Sequence, residues 1–295
     1  MDDKDYIEAI EYMNEQYKNI VKSNGNKQDK RKNKLSKLFN IKKNVLYKIN
    51  KGTLHNNNKK YKHKIINDKK IVIYSCITGN YDNFLSPLIK EKCCDYVIFT
   101  NNIEKNNLNE FVSIQKIPNY IIDKNYDNTL INRYIKMHPH ELFSNSYDFS
   151  IYLDGNIQCI SDVSNLIFEV NKKYGIALHN HCCRNCVYEE AKILKILGKG
   201  NKKKITRQMK EYRENNFPSN YGLLEANVIV TDLHNLKSKE ILDSWWDEFL
   251  RSDSYRDQLS LPYILWRKKI LTSEIGTLGD NVYENPKILK IEHKK

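Results

Sequence analysis

No run in this 295-residue chain comes near the roughly 20 apolar residues that a membrane-spanning helix needs. Charged residues make up 29% of it and the mean hydropathy is −0.69, which excludes an integral membrane protein. The first residues, MDDKDYIEAIEYMNEQ, are acidic and lack the apolar segment of a secretory signal. The seven cysteines are odd in number and include two adjacent pairs, Cys93-Cys94 and Cys182-Cys183, a poor disulfide framework. The expected location is the cytoplasm. The chain shows no internal repeat, no G-x-G-x-x-G fingerprint and no Walker loop, so dinucleotide and P-loop readings lose ground. RGG repeats, RNP-like strands and zinc-finger spacing are missing too, so nucleic acid has no recognisable reader here.

What is present begins with charge. The net charge is +13. Residues 27 to 64 hold fourteen Lys or Arg against one acid, Asp29, and so carry all of it. A basic arm therefore precedes a neutral body. Spacing predicts a helix over 1–24 from Tyr6, Ile7, Ile10, Met13, Tyr17 and Ile20, and a basic amphipathic helix over 33–50. Residues 51–64 read as an Asn- and Lys-rich linker. Three roles stay open for the arm: peripheral contact with the inner face of a membrane through residues 27–64, a helix docked on the body, or a solvated tail. Nucleic acid held by the arm is a rival reading.

The body reads as strands alternating with helices, hence a mostly parallel sheet covered on both faces. Strands are expected at 71–77, 95–100, 111–117, 149–154, 174–179 and 226–232. Helices are expected over 129–143, 162–172, 186–198, 202–215, 238–251 and 256–270.

Polar clusters fall at the ends of these strands. YLDGN, residues 152 to 156, closes the apolar run FSIYL. Asp154 thus sits at the carboxyl end of a central strand, where open α/β sheets hold ligands. Asp154 and the Asn156 amide can offer two oxygens to a hard dication, which suits an enzyme holding a metal-bound sugar diphosphate. A plain strand-to-turn junction uses the same residue types. Thr78-Gly79-Asn80-Tyr81-Asp82 can present amides and an aromatic ring. Arg133 and Lys136, three apart, share a helix face and can neutralise a diphosphate, or form a solvated face. His179, His181, Cys183 and Cys186 resemble a zinc set, but no second Cys pair stands at finger spacing. His181 and Arg184 facing a pocket is the better reading. Asp257 opens a helix, where the dipole favours an acid. It can equally orient or deprotonate a sugar hydroxyl.

The ordered set SCITGNYD, NRYIKMHPH, YLDGN, H-x-x-R-x-C-x-Y-x-E-A (His181 to Ala191), GLLEANVIV and RDQLSLPYILW resembles a known group. It is similar to the MUCI/TOD-type glycosyltransferase-like family, formerly a domain of unknown function, which includes plant pectin- and mucilage-related proteins and bacterial capsule-locus relatives. The resemblance spans about residues 70 to 270. It implies a GT-A (Rossmann-like) α/β fold over 66–295, preceded by a basic helical extension over 1–65. In that fold the acidic motif is commonly Asp-x-Asp, and here its second carboxylate is the Asn156 amide.

The expected activity is sugar transfer from a nucleoside diphosphate sugar, UDP ahead of GDP, to a glycan or lipid-linked acceptor in surface polysaccharide synthesis. Thr78, Asn80, Tyr81 and Asp82 would hold the nucleoside, and Arg133 and Lys136 the ribose or phosphate. Asp154 with Asn156 would carry Mn²⁺ or Mg²⁺. His181, Arg184 and Gln258 would contact the donor. Asp257 is the first choice of base and Glu225 the second if the reaction inverts. A non-catalytic glycan- or nucleotide-binding protein of the same fold is the alternative.

Overall fold

The structure, a computed structural model, describes residues 59–61, 66, 68–79, 81–102 and 109–291. The helices expected over 1–24 and 33–50, most of the 51–64 linker, and Asn80 lie outside those residues. Nine strands are described: β1 (Ile71–Ile77), β2 (Cys94–Thr100), β3 (Val112–Lys116), β4 (Phe149–Leu153), β5 (Ile157–Cys159), β6 (Ile176–Asn180), β7 (Leu224–Asp232), β8 (Gly276–Thr277) and β9 (Ile288–Lys290). Seven form one sheet in the order β3-β2-β1-β4-β7-β6-β8, and β5 pairs with β9. β3, β2, β1 and β4 run parallel, whereas β7 is antiparallel to both β4 and β6. The mixed, mostly parallel α/β sheet is the architecture expected from the sequence, with β4 at its centre.

β1 shows why these runs are continuously apolar. Val72, Tyr74 and Cys76 enter one core cluster, and Ile71 and Ile73 enter another on the opposite face. A strand buried on both sides loses the alternation of a half-exposed one. The first face is covered by helices α1 (Asn119–Ile122), α2 (Asn128–Met137), α3 (Pro139–Phe143), α6 (Leu236–Ser252) and α7 (Asp257–Arg267). The second face is covered by a 3₁₀ turn at Ser164–Glu169, where a helix over 162–172 was expected, and by the segment through Leu278, Val282 and Ile288. Helices α4 (Val187–Leu197) and α5 (Lys202–Glu214) build a third cluster with Leu259 and Tyr263 of α7.

The single helix expected over 129–143 is two. α2 ends at His138 and Pro139 opens α3, because a proline cannot continue the preceding hydrogen-bond ladder. The Asp127 carboxylate caps α2 by accepting from Leu130 N at 2.8 Å. Residues before 66 also touch the body: Tyr61 Oη donates to Leu278 O and accepts from Asn285 Nδ2. No helix among the described residues is long and apolar enough to cross a membrane.

Strand order places the site. From β1 the chain goes outward to β2 and β3, then returns to set β4 on β1's other side. The carboxyl ends of β1 and β4 therefore diverge into a crevice, the switch point where such sheets bind ligands.

Candidate functional site

A cleft of about 630 Å³ opens at that switch point. Thr78, Tyr81 and Asp82 line it from the loop after β1, Arg133 and Lys136 from α2, and Asp154 from the tip of β4. His181 and Arg184 line it after β6, Glu225 from β7, and Asp257 and Gln258 from α7. The sequence-expected residues thus converge, with two exceptions. Asn80 lies outside the described residues. Asn156 is a correction: it is 3% exposed, does not line the cleft, and its amide donates to Ile291 O at 2.9 Å. It tethers the C-terminal segment to the turn rather than facing a ligand.

Asp154 is held from two sides. Its backbone N–H bonds Asn227 O at 2.8 Å, and its Oδ2 accepts from Asn227 Nδ2 at 2.9 Å. Asn227 is a positioning residue that sequence reading passed over. Its signal was its place in the EANVIV strand, one step from the register partner of Leu153. Asp154 Oδ1 stands 3.5 Å from Lys136 Nζ, and the side chain keeps 21% exposure to the cleft. Gly155 follows Asp154 at the turn out of β4. Its φ is not positive; a Cβ there would sit 2.9 Å from Ile77 Cγ1 and 3.2 Å from Asp82 Oδ2. Close approach, not left-handed backbone, requires the glycine.

The residues present do not fit a tight dication site of the expected kind. One of the two expected ligands has turned away. The other has both oxygens engaged, one of them beside an ammonium that occupies the cation's side of the carboxylate.

Lys136 is 1% exposed, and its Nζ donates to Asp257 Oδ2 at 2.7 Å. Arg133 Nε comes to 3.0 Å from the same oxygen, as an ion pair without hydrogen-bond alignment. Asp257 Oδ1 accepts from Gln258 N. Burial pushes the Asp257 carboxyl upward, but Arg133 and Lys136 outweigh it and hold the group well below the usual carboxylate range. For Arg133, burial lowers the pKa while Asp257 and then Asp154 raise it above the ordinary value. Asp257 was the first choice of base. The structure corrects that: an ionised, doubly paired carboxylate has little basicity to offer and instead anchors the two cations. Trp245 Nε1 donates to Asp257 O at 2.9 Å and fixes the start of α7.

Across the cleft, His181 Nδ1 accepts the backbone N–H groups of Cys183 and Arg184, both at 3.1 Å. In the neutral ring the proton is then on Nε2, which faces Glu225 Oε1 at 3.4 Å and Glu190 Oε2 at 3.5 Å. Arg184 clamps Glu190 through Nε at 2.7 Å and Nη2 at 2.6 Å. Burial raises the Glu190 pKa, but His181 and Arg184 outweigh it and bring it to about 2. Glu225 makes no ion pair with Arg or Lys among the described residues. Of the residues weighed as a zinc set, His179 is buried against Asn285 and Cys186 lies in the α4–α5 cluster. His181, Cys182 and Cys183 do place ligand atoms within 4.8 Å of one another. No disulfide joins any of the seven cysteines, all of which lie among the described residues.

The loop after β1 is braced rather than open. Thr78 Oγ1 donates to Asn128 O, Gly79 N donates to Asn101 Oδ1, and Asn101 Nδ2 donates to Asn128 Oδ1. Gly79 has φ +62°, which a side chain rarely adopts. Tyr81, 64% exposed, stands at the rim.

Known proteins resemble this chain at three levels. Among curated proteins, the Ras-related protein RABG3b of Arabidopsis thaliana is 42% identical over 50 residues, 17% of this chain and 25% of that protein. The Ypt/Rab-type GTPase avaA of Emericella nidulans is 46% identical over 50 residues, 17% of this chain and 24% of that protein. The chain spans about a quarter of the length of these relatives, and it has no Walker loop. Among solved structures, the WbbM bifunctional glycosyltransferase in apo form has a TM-score of 0.43 at 13% identity, over 73% of this chain and 40% of that one. Mouse xyloside xylosyltransferase 1, also apo, has a TM-score of 0.40 at 8% identity, over 70% and 83% of the two chains. The sequence pattern of the TOD1/MUCI70 glycosyltransferase-like domain matches residues 39–285, reaching further toward the N-terminus than the motifs themselves. With most of its length covered by that pattern, the chain belongs to the TOD1/MUCI70 glycosyltransferase-like family.

Proposed function

We propose that the protein transfers a sugar from a nucleoside diphosphate sugar, with UDP ahead of GDP, to a glycan or lipid-linked acceptor in surface polysaccharide synthesis. One observation carries this: the Asp154 carboxylate, braced by Asn227, opens from the tip of the central strand onto a cleft of about 630 Å³ at the sheet's switch point. Tyr81 on the rim offers a ring on which a base stacks, and Asp82 lies beside it. The Arg133–Lys136–Asp257 group sets the charge behind Asp154.

In transfer, the anomeric carbon–oxygen bond breaks and its electron pair leaves with the diphosphate. The acceptor oxygen forms the new bond and loses its proton. If configuration inverts, Glu225 is the cleft carboxylate best suited to take that proton, because no Arg or Lys among the described residues holds it in an ion pair. His181 Nε2 orients it. The residues present do not fit the Mn²⁺ or Mg²⁺ expected from the family, so no step is routed through a dication. Asp154 is the one expected ligand that faces the cleft.

The test is a panel of nucleotide sugars, read by calorimetry for binding and by hydrolysis or transfer for turnover. Turnover of one donor, lost in Asp154→Ala, supports the reading. Binding without turnover supports the non-catalytic alternative, and no binding of any donor overturns the proposal. Deleting residues 1–65 and measuring DNA or RNA retention against salt tests the nucleic-acid rival.

A further inference from the structure

The Arg133 and Lys136 charges are spent within the fold on Asp257 and Asp154. A diphosphate entering the cleft therefore needs other cations. Three stand there with no ion pair among the described residues: Lys199, Arg256 and Lys290. They come from separate parts of the chain. Lys199 lies in the turn after α4, Arg256 just ahead of α7, and Lys290 at the end of β9, paired in register with Ile157 just past the Asp154 turn.

The three converge at one end of the cleft. Arg256 Cδ would stand 3.1 Å from a Cβ on Gly200, so its stem packs on the Lys199 turn. Partial burial, then Arg256 and Lys290, push the Lys199 pKa below its ordinary value, against a smaller upward pull from Glu190 and Glu225. Lys290 Nζ meets only a neutral group, Tyr283 Oη at 3.2 Å. Two further donors are shut from water without a partner: Arg256 Nε and Gln258 Nε2. Like charges drawn together beside unpaired buried donors cost free energy unless an anion completes them.

We propose that Lys199, Arg256 and Lys290, with the Gln258 amide, form a diphosphate subsite that neutralises the leaving group with the chain's own cations in place of a dication. This rests on the sugar-transfer reading above and adds the charge source for it. It also accounts for a family member whose acidic motif keeps one carboxylate facing the cleft: with three cations supplied by the chain, a second metal ligand is not needed. The chemistry required is that of a diphosphate, since three separated cations and the neutral Gln258 amide exceed what a single carboxylate can occupy.

The test is calorimetric titration of the full chain with inorganic pyrophosphate in EDTA, with uridine as a phosphate-free control. The expected result is pyrophosphate binding without metal, weakened about tenfold or more in each of Lys199→Gln, Arg256→Gln and Lys290→Gln, with uridine affinity unchanged. Lys199 is exposed on the rim, so that variant tests the subsite even if Arg256→Gln fails to fold. Competition between UDP and pyrophosphate assigns the subsite to the donor; simultaneous binding assigns it to a phosphate on the acceptor and overturns the leaving-group role. Pyrophosphate binding that requires Mn²⁺ or Mg²⁺, or equal affinity in wild type and Lys199→Gln, overturns the subsite. Metal-dependent turnover that survives in the variants does the same while leaving sugar transfer standing. Absence of any donor binding removes both.

Discussion

Lys136 Nζ lies 2.7 Å from Asp257 Oδ2, joining the end of α2 to the start of α7 across 121 residues of sequence. Both side chains are nearly closed to water, at 1% and 10% exposure. Breaking such a pair from one side leaves an uncompensated buried charge. Lys136→Met and Asp257→Asn should each cost about 3–5 kcal/mol in denaturant unfolding. The double variant should cost clearly less than the sum. Additive losses would mean that the two groups do not act as a pair.

Asn227 should act through Asp154. Asn227→Ala removes the donor to Asp154 Oδ2 and frees the carboxylate to rotate. Turnover is expected to fall about tenfold or more, with KM changed little and stability lowered by about 1 kcal/mol. Rescue by Asn227→Gln, even partial, fits positioning. A fall in stability with unchanged turnover would make Asn227 structural only.

Gly155→Ala puts a Cβ within 2.9 Å of Ile77 Cγ1 and 3.2 Å of Asp82 Oδ2. The neighbours must shift, at a cost of about 1–3 kcal/mol. The paired variant Gly155→Ala with Ile77→Val should recover part of it. If Gly155→Ala is as stable as wild type, the close approach does not hold.

Burial depresses the His179 pKa from 6.5 to about 3. Its folded form stays neutral where the unfolded chain takes a proton. The stability it contributes is therefore complete above about pH 6.5 and is lost as pH falls toward 3. His138 and His140 shift in the same direction, also chiefly by burial. Glu190, held near 2, adds a loss that begins only below about pH 4.5. In unfolding titrations between pH 6.5 and 4.5, His179→Asn should reduce the slope by about 1.4 kcal/mol per pH unit, one proton's worth. An unchanged slope would show that His179 is not buried neutral.

The sequence made much of this molecule legible, for physical reasons. IVIYSCI is a strand in the structure at the same bounds, because a run buried on both faces has no polar interruption to misread. The clusters met in one cleft because β1, β4 and β6 carry their carboxyl ends to one side and antiparallel β7 brings its start there. Other features needed coordinates. The break at His138 was passed over in the sequence, although Pro139 is what ends the ladder there. The covering of the second sheet face by a 3₁₀ turn and the segment past Leu278 was not readable, because those residues have no helical period. Asn156 looked like a ligand from its spacing alone, yet its side chain bonds Ile291, 135 positions away. Asp257 looked like a base until Arg133 and Lys136 were found to converge on one of its oxygens. Lys199, Arg256 and Lys290 carried no local signal, since each is a common surface residue type and only the fold gathers them.

The most direct measurement is turnover of nucleotide sugars by the wild-type chain beside Asp154→Asn, a substitution that keeps size and removes charge. The account predicts that one donor is consumed by the wild type, that Asp154→Asn slows this at least about a hundredfold, and that its melting temperature moves by only a few degrees. Wild-type-like turnover in Asp154→Asn would contradict the account at its centre.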